Sequence, residues 1–202
     1  MAFTTIAEMT AEIVDWSNNG ITTAKAASMI TLAEDRIYRE LRVKDMEATS
    51  SVAISSGVAA VPSDLIEVKE MHLSSNPKYP LQRKTVEWIY SKYPVRSEAG
   101  VPVFFAREGS NFIFGPNASD SHTVVINYYA RPTTAVGGTL SGILLNSPGL
   151  LLNAALVEAS VYLAMPEMAA LYEQRYTQIK DLVVKQDKNS RFSGSPLAVT
   201  PA

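Results

Sequence analysis

The sequence predicts an α+β fold, in which an α-helical bundle of N- and C-terminal helices carries an inserted antiparallel β-domain. Apolar residues recur every three or four positions near both ends of the chain, as on one face of a helix. Between these ends, apolar and polar residues alternate in short runs separated by turn residues, as in strands. The length of 202 residues fits one domain, or one domain with a small insert.

The longest predicted helix spans residues 22–47, and other elements are expected to pack along it. Its apolar stripe repeats at helical spacing and consists of Ala26, Ile30, Ala33, Ile37 and Leu41. At ~1.5 Å per residue, such a helix extends roughly 39 Å. The opposite face is charged from Glu34 onwards, with opposite charges four residues apart in the pairs Asp35–Arg39, Arg36–Glu40 and Glu40–Lys44. Each pair of this kind stabilises a helix by about 0.2–0.5 kcal/mol.

Three more helices are predicted from the same periodicity. The first covers residues 4–18 and is expected to pair antiparallel with the long helix, because the connection between them is short. Residues 150–164 are apolar nearly all round, which indicates a buried central helix. Pro166 separates this helix from a last one at about residues 167–189. The helical bundle is therefore assigned to residues 1–47 and 146–192.

The inserted β-rich domain is assigned to residues 48–131. Strands are expected at about residues 49–54, 58–61, 65–73 and 122–131, with two more around 103–105 and 112–114. Residues 79–81 are expected to return the chain as a hairpin, and residues 84–90 to form a short helix. A Gly/Thr-rich loop at 132–145 and a flexible C-terminal tail at 193–202 complete the predicted organisation.

Composition limits the possible functions. The net charge of −2 does not indicate nucleic-acid binding, and the lack of cysteine excludes disulfides, thiolate metal sites and a cysteine nucleophile. The start of the sequence has neither a basic region nor a long apolar run, so no signal peptide is expected. The apolar run at 150–164 is too short to span a bilayer. We therefore expect a soluble protein without membrane contact, made in the cytoplasm and kept there or built into something assembled there.

No catalytic, cofactor-binding or metal-binding site is predicted. His72 and His122 fall in separate strands and lack the HxH or HExxH spacing of metal ligands. The sequence has no P-loop, dinucleotide fingerprint or nucleophile elbow, and Gly137-Gly138 is interpreted as a flexible loop. The aromatic residues are interpreted as core or subunit-interface residues rather than as a base-stacking platform; they include Trp88, Tyr90, Tyr93, Phe104, Phe105, Tyr128 and Tyr129. The sequence chemistry alone supports no enzyme.

Three arginines, Arg36, Arg39 and Arg42, recur every three residues along the long helix. The first interpretation is a solvated face held by ion pairs between residues four apart. The alternatives are a contact surface for another protein and a surface that meets nucleic acid.

Four stretches of the sequence, taken in order, resemble one protein family. They are residues 32–47, which begin LAEDRIYRELR and end in Met46-Glu47; residues 61–67, VPSDLIE; the GVP, IFGP and VINYYARP segments within 100–132; and residues 144–159, which begin LLNSP. Each stretch is weak alone, but together they cover about residues 5–192. The chain resembles the head-to-tail adaptor, or connector, proteins of tailed bacteriophages, chiefly of short-tailed phages.

The resemblance implies a helical bundle with a β-insert, multiplied into a ring of most often twelve copies. Such a ring lies beneath the portal protein at the capsid vertex and carries the tail or nozzle protein. Phage DNA passes through its lumen without sequence-specific binding. The implied location is the virion, after assembly in the host cytoplasm, and no cofactor is implied. A tail-tube or minor tail protein and, further away, a small enzyme such as a cell-wall hydrolase are the alternatives.

Two groups of residues are candidates for the assembly interface. Arg36, Arg39 and Arg42 lie on the charged helical face, which we expect to serve assembly rather than folding, because exposed ion pairs contribute only ~0.2–1 kcal/mol to stability. Phe192, Leu197 and Val199 belong to the C-terminal segment. Its short apolar patch is too small to fold alone, and we expect it to add to a partner's sheet edge or fill a groove. The alternative is a tail without a role.

Overall fold

The computed structural model describes residues 3–18, 20–75, 77–96, 99–118, 122–131, 140 and 142–192. The chain divides into two compact units. One unit, here called the helical unit, consists of Met1–Met46 and Pro132–Ala202, and the other, called the β-unit, consists of Glu47–Arg131. Helices from both ends of the chain and antiparallel sheets between them confirm the predicted α+β fold.

The helices and strands follow one another in a simple order. The helices are α1 (Ile6–Trp16), α2 (Thr23–Glu40), α3 (Val86–Lys92), α4 (Ile143–Asn146), α5 (Pro148–Tyr162) and α6 (Pro166–Phe192). The strands are β1 (Glu47–Ala53), β2 (Val58–Ala60), β3 (Leu65–Leu73), β4 (Tyr79–Pro80), β5 (Gln82–Arg83), β6 (Ala99–Gly100), β7 (Phe104–Glu108), β8 (Asn111–Gly115), β9 (Asn117–Ala118) and β10 (Thr123–Ala130). A 3-10 turn at Lys44–Met46 precedes β1.

The helical unit is built around α5, which confirms the prediction of a buried central helix. This helix packs against α1, α2, α4 and α6. Its fully buried residues include Leu150, Leu151, Ala154 and Ala155, and the neighbouring helices bury Ile13, Ile37 and Tyr176. Because α5 is apolar nearly all round, it stabilises the unit by contacts on every side rather than through one stripe.

The long helix is shorter than predicted. It ends at Glu40 rather than at residue 47, and Leu41 is extended, with φ −110° and ψ 144°. Arg42 Nη1 hydrogen-bonds the carbonyl oxygens of Tyr38 and Leu41 at 2.8 and 2.6 Å, and so supplies donors to carbonyls at the helix end. Residues 41–46 remain buried at Leu41, Val43 and Met46, but on an irregular segment. The predicted Glu40–Lys44 pair along the helix is therefore wrong.

Part of the segment predicted as a loop at 132–145 is helical. The short helix α4 buries Ile143 and Leu144, whose side chains are almost inaccessible to solvent. A helix of four residues is too short to show a periodic pattern in the sequence. Residues 132–139 and 141, and the predicted tail at 193–202, lie outside the described residues.

The β-unit contains two four-stranded sheets and one two-stranded pair. The first sheet has the order β1-β10-β3-β4 and is antiparallel throughout. The second has the order β2-β8-β7-β5, and its β5–β7 pair is parallel, as is the separate β6–β9 pair. The prediction of antiparallel strands therefore holds for the main pairings but not for these two short ones.

Residues from both four-stranded sheets form the main core of the β-unit. They are Ile54, Ala59, Met71, Leu73, Leu81, Phe105, Phe112, Phe114, Val124, Ile126 and Tyr128. A smaller cluster joins Ile89 of α3 to Ala106 and Ile113. The predicted hairpin return near residue 80 is present as β4, and the predicted short helix begins at Val86, with Thr85 Oγ1 accepting from the Trp88 amide at 3.3 Å.

Candidate assembly surfaces

Arg36 is half-buried in the helical unit, where it bridges α2 and α6. Its Nη1 and Nη2 atoms donate to the two carboxylate oxygens of Glu173 on α6 at 2.8 and 2.5 Å, a bidentate ion pair. Its Nε donates to Glu40 at 3.0 Å, which confirms the predicted contact four residues along the helix. The guanidinium carbon also lies 4.4 Å from the ring centroid of Tyr176. Each of the three guanidinium nitrogens therefore has a partner on α2 or α6.

Glu40 is the second centre of this network. One of its carboxylate oxygens accepts from Tyr176 OH at 2.9 Å and from Lys180 Nζ at 2.8 Å. Burial alone would raise the pKa of Glu40, but hydrogen bonds from Lys180, Arg36 and Tyr176 outweigh it and lower the pKa to about 2. We call the five residues Arg36, Glu40, Glu173, Tyr176 and Lys180 the α2–α6 ionic cluster.

The cluster also shifts the pKa of Glu173 and of Tyr176, in opposite directions. The hydrogen bond from Arg36 lowers the pKa of Glu173, which favours its charged form. Burial and the hydrogen bond to Glu40 raise the pKa of the Tyr176 phenol, which therefore stays neutral and acts as a donor. Charges and protons are thus fixed in one arrangement, and the cluster acts as a side-chain link between two helices.

The structure describes the surroundings of two of the remaining candidates, Arg39 and Arg42. Arg39 is exposed and makes no hydrogen bond or ion pair within the part of the chain that the structure describes, so the predicted Asp35–Arg39 pair is not formed. Arg42 is half-buried at the end of α2. Phe192 is the last residue of α6, and nothing is described of its side chain. Leu197 and Val199 lie outside the described residues.

Glu34 was predicted to lie on the solvated, charged face of the long helix, but it is buried. Only 2% of its surface is exposed. Residues 33, 34, 37 and 38 of α2 are all buried, so the buried face of this helix is wider than its apolar stripe. Periodicity of apolar residues alone could not find this, because the additional buried positions are polar.

An exposed apolar surface surrounds the turn between α5 and α6. It consists of Val161, Tyr162, Met165, Met168 and Leu171, and we call it the turn patch. Tyr162 and Met165 expose 56% and 49% of their surface. The ammonium of Lys25 lies 5.3 Å from the Tyr162 ring centroid, so the patch has a charged border. Exposed apolar residues grouped around one turn are typical of protein contact sites. Sequence reasoning missed it, because the apolar run was assigned entirely to a buried helix.

The β-unit carries a second exposed apolar surface near α3. Trp88 packs edge-on against Phe104, with ring centroids 4.8 Å apart, and the Lys84 ammonium lies 5.3 Å from the Trp88 ring. The exposed valines Val101 and Val103 lie on the segment that leads into β7. The aromatic residues predicted as core or interface thus divide, with Phe105 and Tyr128 in the core and Trp88 and Tyr90 at the surface.

A polar cavity of about 320 Å³ lies within the helical unit. Its carboxylates already have partners, since Asp187 accepts from the Lys44 amide at 2.8 Å and Asp45 accepts from the Asn146 amide group at 2.7 Å. Across the described ranges, no three His, Asp or Glu side chains come together as a metal site would require. Nor does any helix among them have the length and apolarity needed to cross a membrane.

Both units carry exposed apolar surface. Such surface is typical of the class of proteins that bind other proteins. Comparison with family models gives the family. The model for SU10 adaptor proteins matches residues 4–200, and the chain belongs to this family. It is a family of structural phage proteins, so the chain is a phage adaptor, and membership implies a virion component that assembles with portal and tail proteins. Among curated proteins, none matches the chain.

Proposed function

We propose that this adaptor forms a closed ring of twelve copies beneath the portal protein and joins the capsid to the tail or nozzle. Phage DNA passes through the lumen of the ring without sequence-specific contacts. The observation that carries the proposal is the family match across residues 4–200, together with the four sequence stretches that resemble head-to-tail adaptors. Assembly takes place in the host cytoplasm, and the ring needs no cofactor or metal.

A closed ring requires that each copy present two different surfaces that fit each other, a heterologous interface. The turn patch and the apolar surface near α3 are two different exposed surfaces, and their chemistry differs. The turn patch is rich in methionine and aliphatic residues, whereas the surface near α3 combines aromatic rings with valines. We assign these surfaces to contacts with neighbouring copies, the portal protein or the tail protein.

The six candidate interface residues then have different roles. Arg39 is exposed and makes no ion pair within the described residues, so we assign it to a contact with another protein. Phe192, Leu197 and Val199 contribute the C-terminal contact. Arg36 and Arg42 act indirectly, because Arg36 holds α6 against α2 and Arg42 bonds carbonyls at the end of α2. We also propose that the domains of the adaptor have their boundaries at residues 47, 131 and 192, as assigned from the sequence.

The test is to image the protein mixed with the portal protein of the same phage. A symmetric ring of twelve copies on the portal is the expected result. A monomer in solution without the portal is compatible with the proposal, since the portal acts as a template. Stacked discs of sixfold symmetry would indicate a tail-tube protein instead. Absence of the protein from any symmetric ring in virions would refute the proposal.

A further inference from the structure

The first sheet of the β-unit ends in a long open strand edge. In the order β1-β10-β3-β4, the outer strand β1 pairs with β10 through seven consecutive residues, from Glu47↔Tyr129 to Ala53↔Thr123, without a register shift. The other outer strands of the two four-stranded sheets, β2, β4 and β5, have only two or three residues. Strand β1 is therefore a long, regular open edge on which another strand can pair. Within the described residues, the outer side of β3 is also uncovered along residues 65–70, because β4 pairs only with His72 and Leu73, but that stretch carries the charged residues Glu67, Lys69 and Glu70.

The register shows which backbone groups point away from the sheet. The Ile54 amide donates to the carbonyl oxygen of His122 at 2.9 Å, so positions 54, 52 and 50 bond to β10. In an antiparallel pair the bonded positions alternate, so Thr49, Ser51 and Ala53 direct their N–H and C=O groups away from β10. All three residues are exposed, and no turn or loop bond among the described residues uses these backbone groups.

This edge lacks the features with which proteins prevent unwanted strand pairing. Short length, proline, lysine and bulges are the usual ones. Strand β1 has the sequence EATSSVA, with no proline, lysine or bulge. Its one charge, Glu47, pairs with Lys69 at 2.8 Å at the start of the strand. By contrast, β4 ends in Pro80. An open edge of seven regular residues is suited to receive a strand from another chain.

We propose that the outer edge of β1 accepts residues 197–200 of a neighbouring copy as an added strand. The inference rests on the proposed ring, because it needs a neighbouring copy. Residues 197–200 are uncharged, contain the strand-favouring Val199 and Thr200, and lie between Pro196 and Pro201, which limit the strand to four residues. Three of the four outward positions on β1, Thr49, Ser51 and Ala53, carry uncharged side chains that leave room for such a strand, and the fourth, Glu47, pairs with Lys69.

A short connection joins the last helix to this segment. Four residues, 193–196, separate the end of α6 from the proposed strand, and they reach roughly 13 Å when extended. The segment and the β1 edge are two different surfaces of one copy, as a closed ring requires. Ordering the segment costs conformational entropy, so one contact is weak, and many contacts held in one ring are much stronger together.

Cysteine cross-linking tests the proposal directly, because the natural chain has no cysteine. Ser51→Cys protein is mixed with Val199→Cys protein that carries a tag, so that the two chains differ in size. The portal protein is added, and the assembled rings are oxidised. Residues opposite each other on adjacent strands have Cβ atoms about 4.5–5.5 Å apart, so a disulfide is expected between Val199→Cys and whichever outward position of β1 lies opposite it. Ala53→Cys serves as the second edge position. Glu87→Cys, an exposed site on α3, is the matched control and should cross-link at least tenfold less.

A second variant blocks the edge itself. Ser51→Pro removes an amide that points away from β10, so it should leave the β1–β10 pairing intact while preventing strand addition. It should lower the cross-link between Ala53→Cys and Val199→Cys at least tenfold, whereas Ser51→Thr, which keeps the amide, should not. If circular dichroism shows that Ser51→Pro does not fold, Ser51→Lys, which places a charge on the edge, replaces it.

Each outcome is decisive for the inference. Rings seen by electron microscopy without a cross-link specific to the β1 edge overturn it and leave the proposed ring intact. A disulfide within a single chain of the Ser51→Cys/Val199→Cys double variant overturns the assignment to a neighbouring copy. Absence of rings with the portal protein overturns both the inference and the proposed function.

Discussion

The helical unit and the β-unit differ in what holds each of them together internally: mainly side chains in the first and mainly backbone hydrogen bonds in the second. Helices satisfy their backbone groups internally, so the link between α2 and α6 consists of side chains, most visibly the α2–α6 ionic cluster. Strands satisfy their backbone groups through their neighbours, so β1, β10 and β3 are linked by backbone bonds whatever their side chains are. The identity of single polar residues therefore matters more in the helical unit.

This difference also explains where each unit has free binding capacity. In the helical unit, the surface that is available for binding consists of side chains, such as the apolar side chains of the turn patch. In the β-unit, the outer strand β1 leaves backbone donors and acceptors unused, and these can bind almost any extended segment. The four predictions below test this contrast, from the largest expected effect on stability to the smallest.

The largest loss should come from the aromatic core of the β-unit. Phe114 is fully buried in the main core of the β-unit. Phe114→Ala should lower the free energy of unfolding by about 3–5 kcal/mol, because it leaves a cavity. Chemical denaturation measures the loss, and amide hydrogen exchange should accelerate in β7, β8 and β10. Val101→Ala at an exposed site of the same unit should stay within about 0.5 kcal/mol. Similar losses for the two variants would contradict the assigned core.

In the helical unit, a single charged residue should matter. Arg36→Ala should cost about 1–2 kcal/mol of stability, because it removes two charge-assisted hydrogen bonds to Glu173 and one to Glu40 from a partly exposed site. Arg36→Lys should recover only part of this, since lysine lacks the planar fork. Arg39→Ala on the same helix is the matched control, with a change within about 0.5 kcal/mol. Equal melting temperatures for Arg36→Ala and Arg39→Ala would show that the cluster does not stabilise the fold.

Acid should weaken the α2–α6 link before it affects the strand pairing. The pKa of Glu40 is about 2 in the folded protein, below its ordinary value of 4.5. A carboxyl whose pKa falls on folding contributes stability above its ordinary pKa, and this contribution is lost as the pH falls through the folded value. Stability should therefore decrease between about pH 4.5 and pH 2. In denaturation curves across this range, Glu40→Gln should decrease less than the natural protein; a parallel decrease would exclude Glu40 as the cause.

The smallest effect on folding should come from removal of residues 193–202. Residues 193–202 form a short Ser- and Pro-containing segment without periodic apolar residues, so truncation after Phe192 should leave the free energy of unfolding within about 0.5 kcal/mol. Binding to the portal and ring formation should weaken, because each copy loses its added strand. Full-strength rings and infectious particles made from truncated protein would show that the segment has no role in assembly.

Local patterns in the sequence were sufficient for much of the fold. Apolar spacing located α1, α5 and α6, and alternation located β3 and β10, because each pattern reports one element's own buried face. The end of α2 was missed, because Leu41, Val43 and Met46 stay apolar and buried after the backbone has left the helix. The parallel β5–β7 pair was missed because strands of two residues leave no pattern.

The candidate surfaces were harder to predict than the fold. The sequence correctly paired Arg36 with Glu40, four residues away, but it gave no sign of the bond to Glu173, 137 residues further along. Contacts of this range depend on which helices lie side by side, which no local pattern records. Exposed apolar residues of the turn patch have the same composition as buried ones, so only the accessible surface separates Met165 from Met29.

The turn patch also makes this protein sensitive to oxidants in a defined way. The chain has no cysteine and seven methionines. Of the described methionines, Met9, Met29, Met46 and Met71 are buried, whereas Met165 and Met168 are exposed, and both belong to the turn patch. Peroxide converts an accessible methionine to its polar sulfoxide and leaves buried ones largely intact. Mild oxidation should therefore make this one surface polar while both units stay folded, and should weaken the contacts that we propose for this surface before the fold is lost.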